Sequence, residues 1–171
     1  MNNLSKEFLT AQEEACKSPR RAYAFAKEIE GADMEKCQEI ACKHHMWAYY
    51  FARDIKGADI EKCQEVACKD PEFAFLFALY IKDANIKICQ KAACKAPEMA
   101  YCFAKNIKEA DIKYCQKAAC KNSKYAYYFA SFVKEADIKY CQKACKDPFW
   151  ISCFINLPGA DIRKCLIYSL L

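Results

Sequence analysis

Apolar and polar positions repeat along the chain with a period of 26 residues. The unit is clearest at 57–82, which reads GADIEKCQEVACKDPEFAFLFALYIK. The residue that opens it recurs as Asp33, Asp59, Asn85, Asp111 and Asp137, and as Asp161 after a shorter gap. A fixed period of about 20 to 50 residues is typical of stacked supersecondary units. The pattern therefore predicts a tandem-repeat architecture, not an enzyme built around one pocket.

The first part of each unit has the apolar spacing of a short helix. Asp59 occupies the position of an N-cap, directly before a run of good helix formers. Ile60, Cys63 and Ala67 then follow at i, i+3 and i+7, so they would share one helix face. We expect this Ile, Cys and Ala face to be buried in every repeat.

The second part of each unit predicts another short helix. Asp70 can cap it, and Pro71 suits its first turn, where the missing N–H has no helical partner to lose. Its apolar face is formed by Ala74, Phe77, Ala78 and Ile81. Because short loops connect the helices, consecutive helices would lie roughly antiparallel, and each hairpin would bury its apolar face only by stacking on the next.

The predicted fold class is all-α: an α-solenoid of tandem helical hairpins with about thirteen short helices. We expect one elongated domain, 1–171. It would comprise an N-terminal helix at 4–17 and repeats near 18–43, 44–69, 70–95, 96–121, 122–146 and 147–171. The pattern resembles short HEAT-like αα-hairpin solenoids, although its unit is shorter. That resemblance implies a scaffold role and no particular activity.

Most of the fourteen cysteines fall into two columns of the first helix. One column is Cys37, Cys63, Cys89, Cys115, Cys141 and Cys165; the other is Cys16, Cys42, Cys68, Cys94, Cys120 and Cys145. The two thiols of one helix are about 140° apart around its axis, so we expect reduced, buried thiols that pack like small apolar residues. Disulfides and metal binding are the alternatives. Cys42 with His44 and His45 is the nearest metal candidate, although zinc would need four convergent ligands. We expect no cofactor.

The net charge of +5 is unevenly distributed. Residues 1–85 hold 12 Lys/Arg and 15 Asp/Glu, whereas residues 86–171 hold 15 Lys/Arg and 7 Asp/Glu. Glutamates on the outer face of the first helix are replaced in the later repeats by Lys87, Lys91, Lys113, Lys117, Lys139 and Lys143. This basic face is either a solvated surface or a docking surface for an acidic protein or nucleic acid.

Three further columns are candidates for recognition or packing. The glutamines Gln12, Gln38, Gln64, Gln90, Gln116 and Gln142 would form a ladder or bond to a neighbouring loop backbone, or alternatively read bases, one per repeat. The column Tyr23, Tyr49, Phe75, Tyr101 and Tyr127 predicts packing between repeats, with hydroxyls at its edge. Tyr50, Leu76 and Tyr128 lie nearly opposite the apolar stripe, so we expect them to be exposed and to bind a protein partner.

The C-terminal helix is unusually apolar for the end of a solenoid. Leu166, Ile167, Leu170 and Leu171 follow Cys165, and one helix face cannot bury all of them. Either the tail covers itself, or these residues form a homodimer contact or dock on a partner.

Catalytic motifs are missing from the sequence: its only histidines are His44 and His45, and there is no phosphate-binding loop or nucleophile elbow. The polar N-terminus and the lack of a long apolar run lead us to expect a cytoplasmic, reducing location and no membrane partner.

The favoured function is a non-enzymatic scaffold that binds a protein as an adaptor or steric inhibitor, for example of a defence complex. The alternatives are binding of nucleic-acid phosphates through the basic half, and a thiol-rich metal or redox protein.

Overall fold

A computed structural model describes residues 3–169 of the chain, and the surroundings of side chains from residue 6 to residue 167. Within residues 3–169 there are thirteen α-helices, one 3₁₀ turn and no strand, which confirms the predicted all-α solenoid of tandem hairpins. The helices are α1 (Asn3–Ala15), α2 (Pro19–Glu28), α3 (Met34–Ala41), α4 (His45–Asp54), α5 (Ile60–Ala67), α6 (Pro71–Tyr80), α7 (Ile86–Ala93), α8 (Pro97–Asn106), α9 (Ile112–Ala119), α10 (Ser123–Phe132), α11 (Ile138–Ala144), α12 (Pro148–Cys153) and α13 (Ile162–Ser169); the 3₁₀ turn is Phe154–Asn156.

The helices form two compact units, the first ending at Asn85 and the second beginning at Ile86. In the first unit α2 packs on α3 and α4 on α5, while the second-type helices α2, α4 and α6 lie side by side. In the second unit α8 packs on α9, α10 on α11 and α12 on α13, and α8, α10 and α12 are neighbours. The predicted single domain 1–171 stays a prediction.

Side-chain caps begin both kinds of helix, as the sequence predicts. At α5 the Asp59 carboxylate accepts a hydrogen bond from the Lys62 N–H at 3.0 Å. At α6 the Asp70 carboxylate accepts one from the Glu72 N–H at 2.9 Å. Equivalent caps are made by Ser18, Asp33, His44, Asp111, Asn122, Asp137 and Asp147. The polar breaks between apolar stretches therefore set where the helices begin.

Phenylalanine and alanine from the second helices fill the core between repeats. Five phenylalanines are fully enclosed: Phe51, Phe77, Phe103, Phe129 and Phe154. Five alanines at the start of the same faces are also fully enclosed: Ala22, Ala48, Ala74, Ala100 and Ala126. A methyl group at each of these positions lets the neighbouring backbone approach closely, so a larger side chain there would be overpacked.

The buried face of the first helix differs from the prediction. In α5 it contains Cys63, Gln64 and Ala67, whereas Ile60 is only half-buried. The equivalent Met34 and Ile162 are exposed. The expectation of a buried Ile column is wrong for two reasons. This residue is the first of its helix and lies at the helix end, and the buried face is rotated toward the glutamine.

Each buried glutamine joins one repeat to the backbone of the next. The Asp59 N–H donates to Gln38 Oε1 at 3.0 Å, and Gln38 Nε2 donates to the Asp59 carbonyl at 2.8 Å. The same two-way bond is made by the pairs Gln64–Asn85, Gln90–Asp111, Gln116–Asp137 and Gln142–Asp161. The bond to a loop backbone is confirmed. An enclosed amide used at both ends cannot also read a base.

Replacing one of these amides should uncouple adjacent repeats. Gln38→Ala leaves the part-buried N–H of Asp59 unpaired and removes one of the two donors to its carbonyl, the other being the Cys63 N–H, so the free energy of unfolding should fall by about 1–3 kcal/mol. The matched control is Glu39→Ala, the exposed neighbour on the same helix, which should change it by less than about 0.5 kcal/mol. Urea unfolding followed by circular dichroism measures both. Equal effects for the two variants would contradict a coupling role for the amide.

Candidate interaction surface

The aromatic column of the second helices packs between repeats, as predicted. In the first unit the Tyr23 ring on α2 lies 5.5 Å from the Trp47 ring and 6.1 Å from the Tyr50 ring of α4. The Tyr23 hydroxyl, at the edge of this packing, donates a hydrogen bond to the Asp54 carboxylate. In the second unit Tyr127 packs on Trp150 of the following second helix, with ring centroids 5.7 Å apart.

A polar network fixes α4 against α2. The Asp54 carboxylate accepts hydrogen bonds from Arg53 Nε at 2.6 Å, from Lys27 Nζ at 3.0 Å and from the Tyr23 hydroxyl. Arg53 chiefly, with Tyr23 and Lys27 adding to it, holds the pKa of Asp54 well below its usual range. The Arg53 guanidinium also lies 4.7 Å from the centroid of the Tyr50 ring. In this unit Tyr50 is therefore held in a packed cluster.

The three residues predicted to form an exposed aromatic face are not exposed. Tyr50, Leu76 and Tyr128 are all half-buried. The second helices lie side by side within each unit, so this helix position points toward a neighbouring second helix. Tyr128, for example, lies edge-on to Trp150 of α12, with ring centroids 5.7 Å apart. The prediction was wrong because it considered one hairpin without its lateral neighbour.

An aromatic patch lies across α8, α10 and α12 of the second unit. It consists of Tyr101, Tyr125, Tyr128, Phe132, Phe149 and Trp150. The rings contact one another edge-on, tilted or stacked, with centroids between 5.0 and 6.5 Å apart. Phe132 and Phe149 keep 57% and 65% of their surface exposed. Tyr128 is thus the one residue of the predicted aromatic face that belongs to this patch.

The sequence contained a signal for this patch that column analysis overlooked. Phe132 occupies the repeat position that holds Asp54 and Asn106 in other repeats, and Phe149 follows Pro148 where Glu72 and Glu98 follow their prolines. Both are departures of the second unit from its own repeat. A search for apolar residues at positions that are polar in most of the other repeats would have found them.

Two lysines border the aromatic patch. Lys105 Nζ lies 5.2 Å from the Phe132 ring centroid and 5.6 Å from that of Tyr101. Lys124 Nζ lies 5.3 Å from the ring of Tyr125 and 5.6 Å from that of Tyr128. These cation–π distances place positive charge at the rim of an apolar surface. Burial and a hydrogen bond with Glu98 raise the pKa of Tyr125 to about 12.

The predicted basic face lies on α7, α9 and α11 of the second unit. All six of its lysines are exposed: Lys87, Lys91, Lys113, Lys117, Lys139 and Lys143. Each pair lines a groove with the loop of the next repeat, and the cavity volumes are about 390, 310 and 560 Å³ in chain order. Exposed tyrosines, Tyr114 and Tyr140, line the first two grooves and were not singled out from the sequence.

The three grooves differ in charge. Glu109 shares the first groove with Lys87 and Lys91, and Glu135 shares the second with Lys113 and Lys117. The third groove, beside Lys139 and Lys143, has Gly159 at the corresponding loop position and adds Lys164. All three grooves also contain the cap aspartate of the next helix, Asp111, Asp137 or Asp161, so each carries both signs of charge and the third is the most basic.

The exposed apolar residues of α13 agree with part of the predicted self-association surface. Leu166 and Ile167 keep 48% and 61% of their surface exposed. Leu170 and Leu171, which completed the predicted set, lie outside the described residues. Cys165 on the same helix is fully enclosed, so α13 packs by one face and leaves Leu166 and Ile167 accessible.

The candidate metal ligands are not brought together. The His44 ring stacks on His45, and His45 in turn packs against Phe73, whereas Cys42 lies beside Cys63. Among the residues whose surroundings are described, no group of three or more His, Cys, Asp or Glu side chains could hold a metal ion. In the same part of the chain, no helix combines the length and apolar character needed to cross a membrane.

Comparison of the chain with protein-family models, curated proteins and solved structures finds no match in any of the three. The surfaces of this chain are therefore the basis for its proposed function.

The Asp54 network predicts how stability depends on pH. Because the pKa of Asp54 is lowered by folding, its contribution is fully present above about pH 4, the unfolded value, and is lost as the pH falls toward the folded value. Asp54→Asn should therefore destabilise the protein at pH 7 and flatten its stability profile below about pH 4. Tyr23→Phe, which removes one of the three donors, should flatten the profile less. Thermal unfolding between pH 2.5 and 7 measures this; parallel profiles for wild type and Asp54→Asn would contradict it.

Proposed function

We propose that this chain is a non-enzymatic helical-repeat scaffold, HEAT-like in organisation, that binds a protein partner as an adaptor or steric inhibitor. The observation that supports this most directly is the aromatic patch of the second unit. Six rings from three consecutive second helices meet on one surface, and its two phenylalanines are mostly exposed. Contiguous exposed apolar patches of this kind mark interaction sites. An inhibitor of a defence complex is one role that such a scaffold could fill.

The energetics of the patch favour a protein ligand. Burying a phenylalanine side chain contributes about 1.5–3 kcal/mol, so Phe132 and Phe149 alone offer a substantial gain on association. Trp150, Tyr101 and Tyr128 belong to the residue types that dominate binding hot spots. Their rings already pack on one another in the free chain, so little side-chain freedom would be lost when a partner binds.

The rim of the patch indicates the charge of its partner. Lys105 and Lys124 lie over the rings, and residues 86–171 carry 15 Lys/Arg against 7 Asp/Glu. A complementary surface would have an apolar centre and acidic residues around it. The charges would speed association and select the partner, while the buried rings would supply most of the affinity.

The second candidate function is binding of nucleic-acid phosphates through the basic face. Six exposed lysines on three successive helices, with Tyr114 and Tyr140 beside them, provide the positive charge and aromatic surfaces that such binding uses. The carboxylates of Glu109 and Glu135 line the same grooves and would repel phosphates. This favours the protein partner as the first proposal.

Two variants distinguish the surfaces. Phe132→Ala with Phe149→Ala should weaken binding of the captured partner at least about tenfold, because both side chains are removed from the centre of the contact. Reversal of the six basic-face lysines to Glu should change the affinity less. Both would be measured by calorimetry with the partner isolated by pull-down from nuclease-treated native lysate. Leu9→Ala, an exposed apolar position on α1, is the matched control and should bind like wild type.

The opposite result would favour the second candidate. The partner is nucleic acid if nuclease abolishes capture, if the lysine reversals eliminate binding, and if the affinity falls steeply with salt. Unchanged binding in the phenylalanine variant would contradict the role of the aromatic patch.

The exposed residues of α13 support a proposed homodimer. An isologous two-fold contact is a common way to bury such a patch, so light scattering should give about twice the chain mass of 19.7 kDa. Leu166→Glu with Ile167→Glu should return the protein to a monomer, since two charges would be buried without partners. Leu9→Glu, equally exposed but on α1, should leave the mass unchanged. A monomeric wild type would contradict self-association.

A further inference from the structure

Cysteines of adjacent repeats form close thiol pairs. The Sγ atoms of Cys42 and Cys63 are 3.6 Å apart. The same register gives Cys94–Cys115 at 3.6 Å and Cys120–Cys141 at 3.5 Å. Cys115 and Cys120 of α9 therefore contact thiols of different neighbouring repeats, and in these three pairs a thiol at a helix end meets the first-column thiol of the next repeat.

The two members of each pair differ in accessibility. The first-column thiols, Cys63, Cys115 and Cys141, have no exposed surface. The helix-end thiols, Cys42, Cys94 and Cys120, keep 6–8% of theirs exposed. Each pair thus has an inner sulfur and an outer one, and only the outer one touches solvent.

In the pairs Cys42–Cys63 and Cys94–Cys115 the two thiols also differ in pKa. The hydrogen-bonding contact with Cys63 lowers the pKa of Cys42, and the contact with Cys115 lowers the pKa of Cys94. This hydrogen bond, together with burial, raises the pKa of each inner thiol well above its ordinary range. In these pairs the negative charge of a thiolate is therefore favoured on the outer sulfur. The thiolate is the reactive form of cysteine, and a small oxidant can reach it there.

We propose that Cys42–Cys63, Cys94–Cys115 and Cys120–Cys141 are modification sites at which hydroperoxides, hydrogen peroxide being the simplest, form disulfides between adjacent repeats. The outer thiolate attacks the peroxide: an S–O bond forms, the O–O bond breaks, and the released hydroxide takes a proton to become water. The inner thiol then attacks the resulting sulfenic acid: an S–S bond forms, the S–O bond breaks, and a second water leaves. Two thiols are oxidised and one peroxide is reduced to two waters.

The geometry requires only a small movement. A disulfide bond is about 2.05 Å long, so the sulfurs must approach by about 1.5 Å. The inner thiol adjoins the outer sulfur before any reaction, so a sulfenic acid formed there would be resolved before further oxidation. Each bond would covalently join neighbouring hairpins.

The last repeat provides an internal control. One alanine is missing before Cys145, and its thiol points to the carbonyls of Ser123 and Asp147 at 3.9 and 3.8 Å. Cys165, like Cys63 and Cys141, accepts a hydrogen bond from the glutamine of the preceding repeat, here Gln142 Nε2 at 3.1 Å. Cys145 and Cys165 therefore occupy the two columns without forming a close pair. Cys102 and Cys153, outside both columns, are more exposed than any paired thiol and control for accessibility alone.

The test is to treat the reduced, full-length native protein with hydrogen peroxide, alkylate the remaining thiols and digest without reductant for mass spectrometry. Linked peptides joining Cys42 to Cys63, Cys94 to Cys115 and Cys120 to Cys141 should accumulate, and dithiothreitol should reverse them. Paired thiols should be lost about tenfold faster than Cys102. In Cys42→Ser, Cys63 should stay alkylatable while the other two pairs still form. Cys102→Ser should leave all three linkages unchanged.

Three results would overturn the proposal. Oxidation of Cys102 and Cys153 before the pairs would show that exposure alone governs reactivity. A Cys145–Cys165 linkage as abundant as the three pairs would show that column position, and not contact, decides. Linked peptides that appear only after denaturation would show that the native pairs do not react, and circular dichroism of each variant establishes that it is folded.

Discussion

The stack depends on one buried hydrogen-bonded contact, the glutamine amide that binds the backbone of the next repeat. Gln38 pairs with both the N–H and the carbonyl of Asp59, while the Asp59 carboxylate caps the helix that begins there. The backbone of Asp59 is thus bound by the glutamine, while its side chain caps the helix that follows. The contact fixes where each new hairpin begins relative to the previous one, and in the second unit it also fixes the spacing of the grooves and the alignment of the aromatic rings.

Because buried contacts hold the repeats together, the surface residues can vary. The enclosed positions are nearly constant from repeat to repeat: Ala, Phe, Cys and Gln. The outer positions of the first helix change from Glu35 and Glu39 to Lys87 and Lys91 without any change in helix length, from α3 to α7. The first helices can therefore carry either charge, and the second helices of the second unit can carry an aromatic surface, on the same internal framework.

Much of the fold could be predicted from the sequence because its signals are local. Caps such as Asp59 and Asp70, the period of the repeat and the buried Gln38 all follow from spacing within one unit. What could not be predicted depends on how separate helices meet. A helical wheel gives the direction of Tyr50 or Cys42 from its own axis, but not which neighbour it meets. Lateral packing buried half of Tyr50, and inter-repeat register placed Cys42 beside Cys63.

The loop before each first helix makes the three grooves of the second unit unequal. Glu109 and Glu135 partly neutralise the lysines of the first two grooves, whereas Gly159, with φ of +89°, leaves the third without an acidic side chain at that position. Along α7, α9 and α11 the groove with the largest excess of positive side chains therefore lies at the C-terminal end. An extended, unevenly charged ligand lying across these helices would meet different charges at its two ends, and one of its two orientations would be favoured. Similar repeats therefore form a surface whose two ends differ in charge.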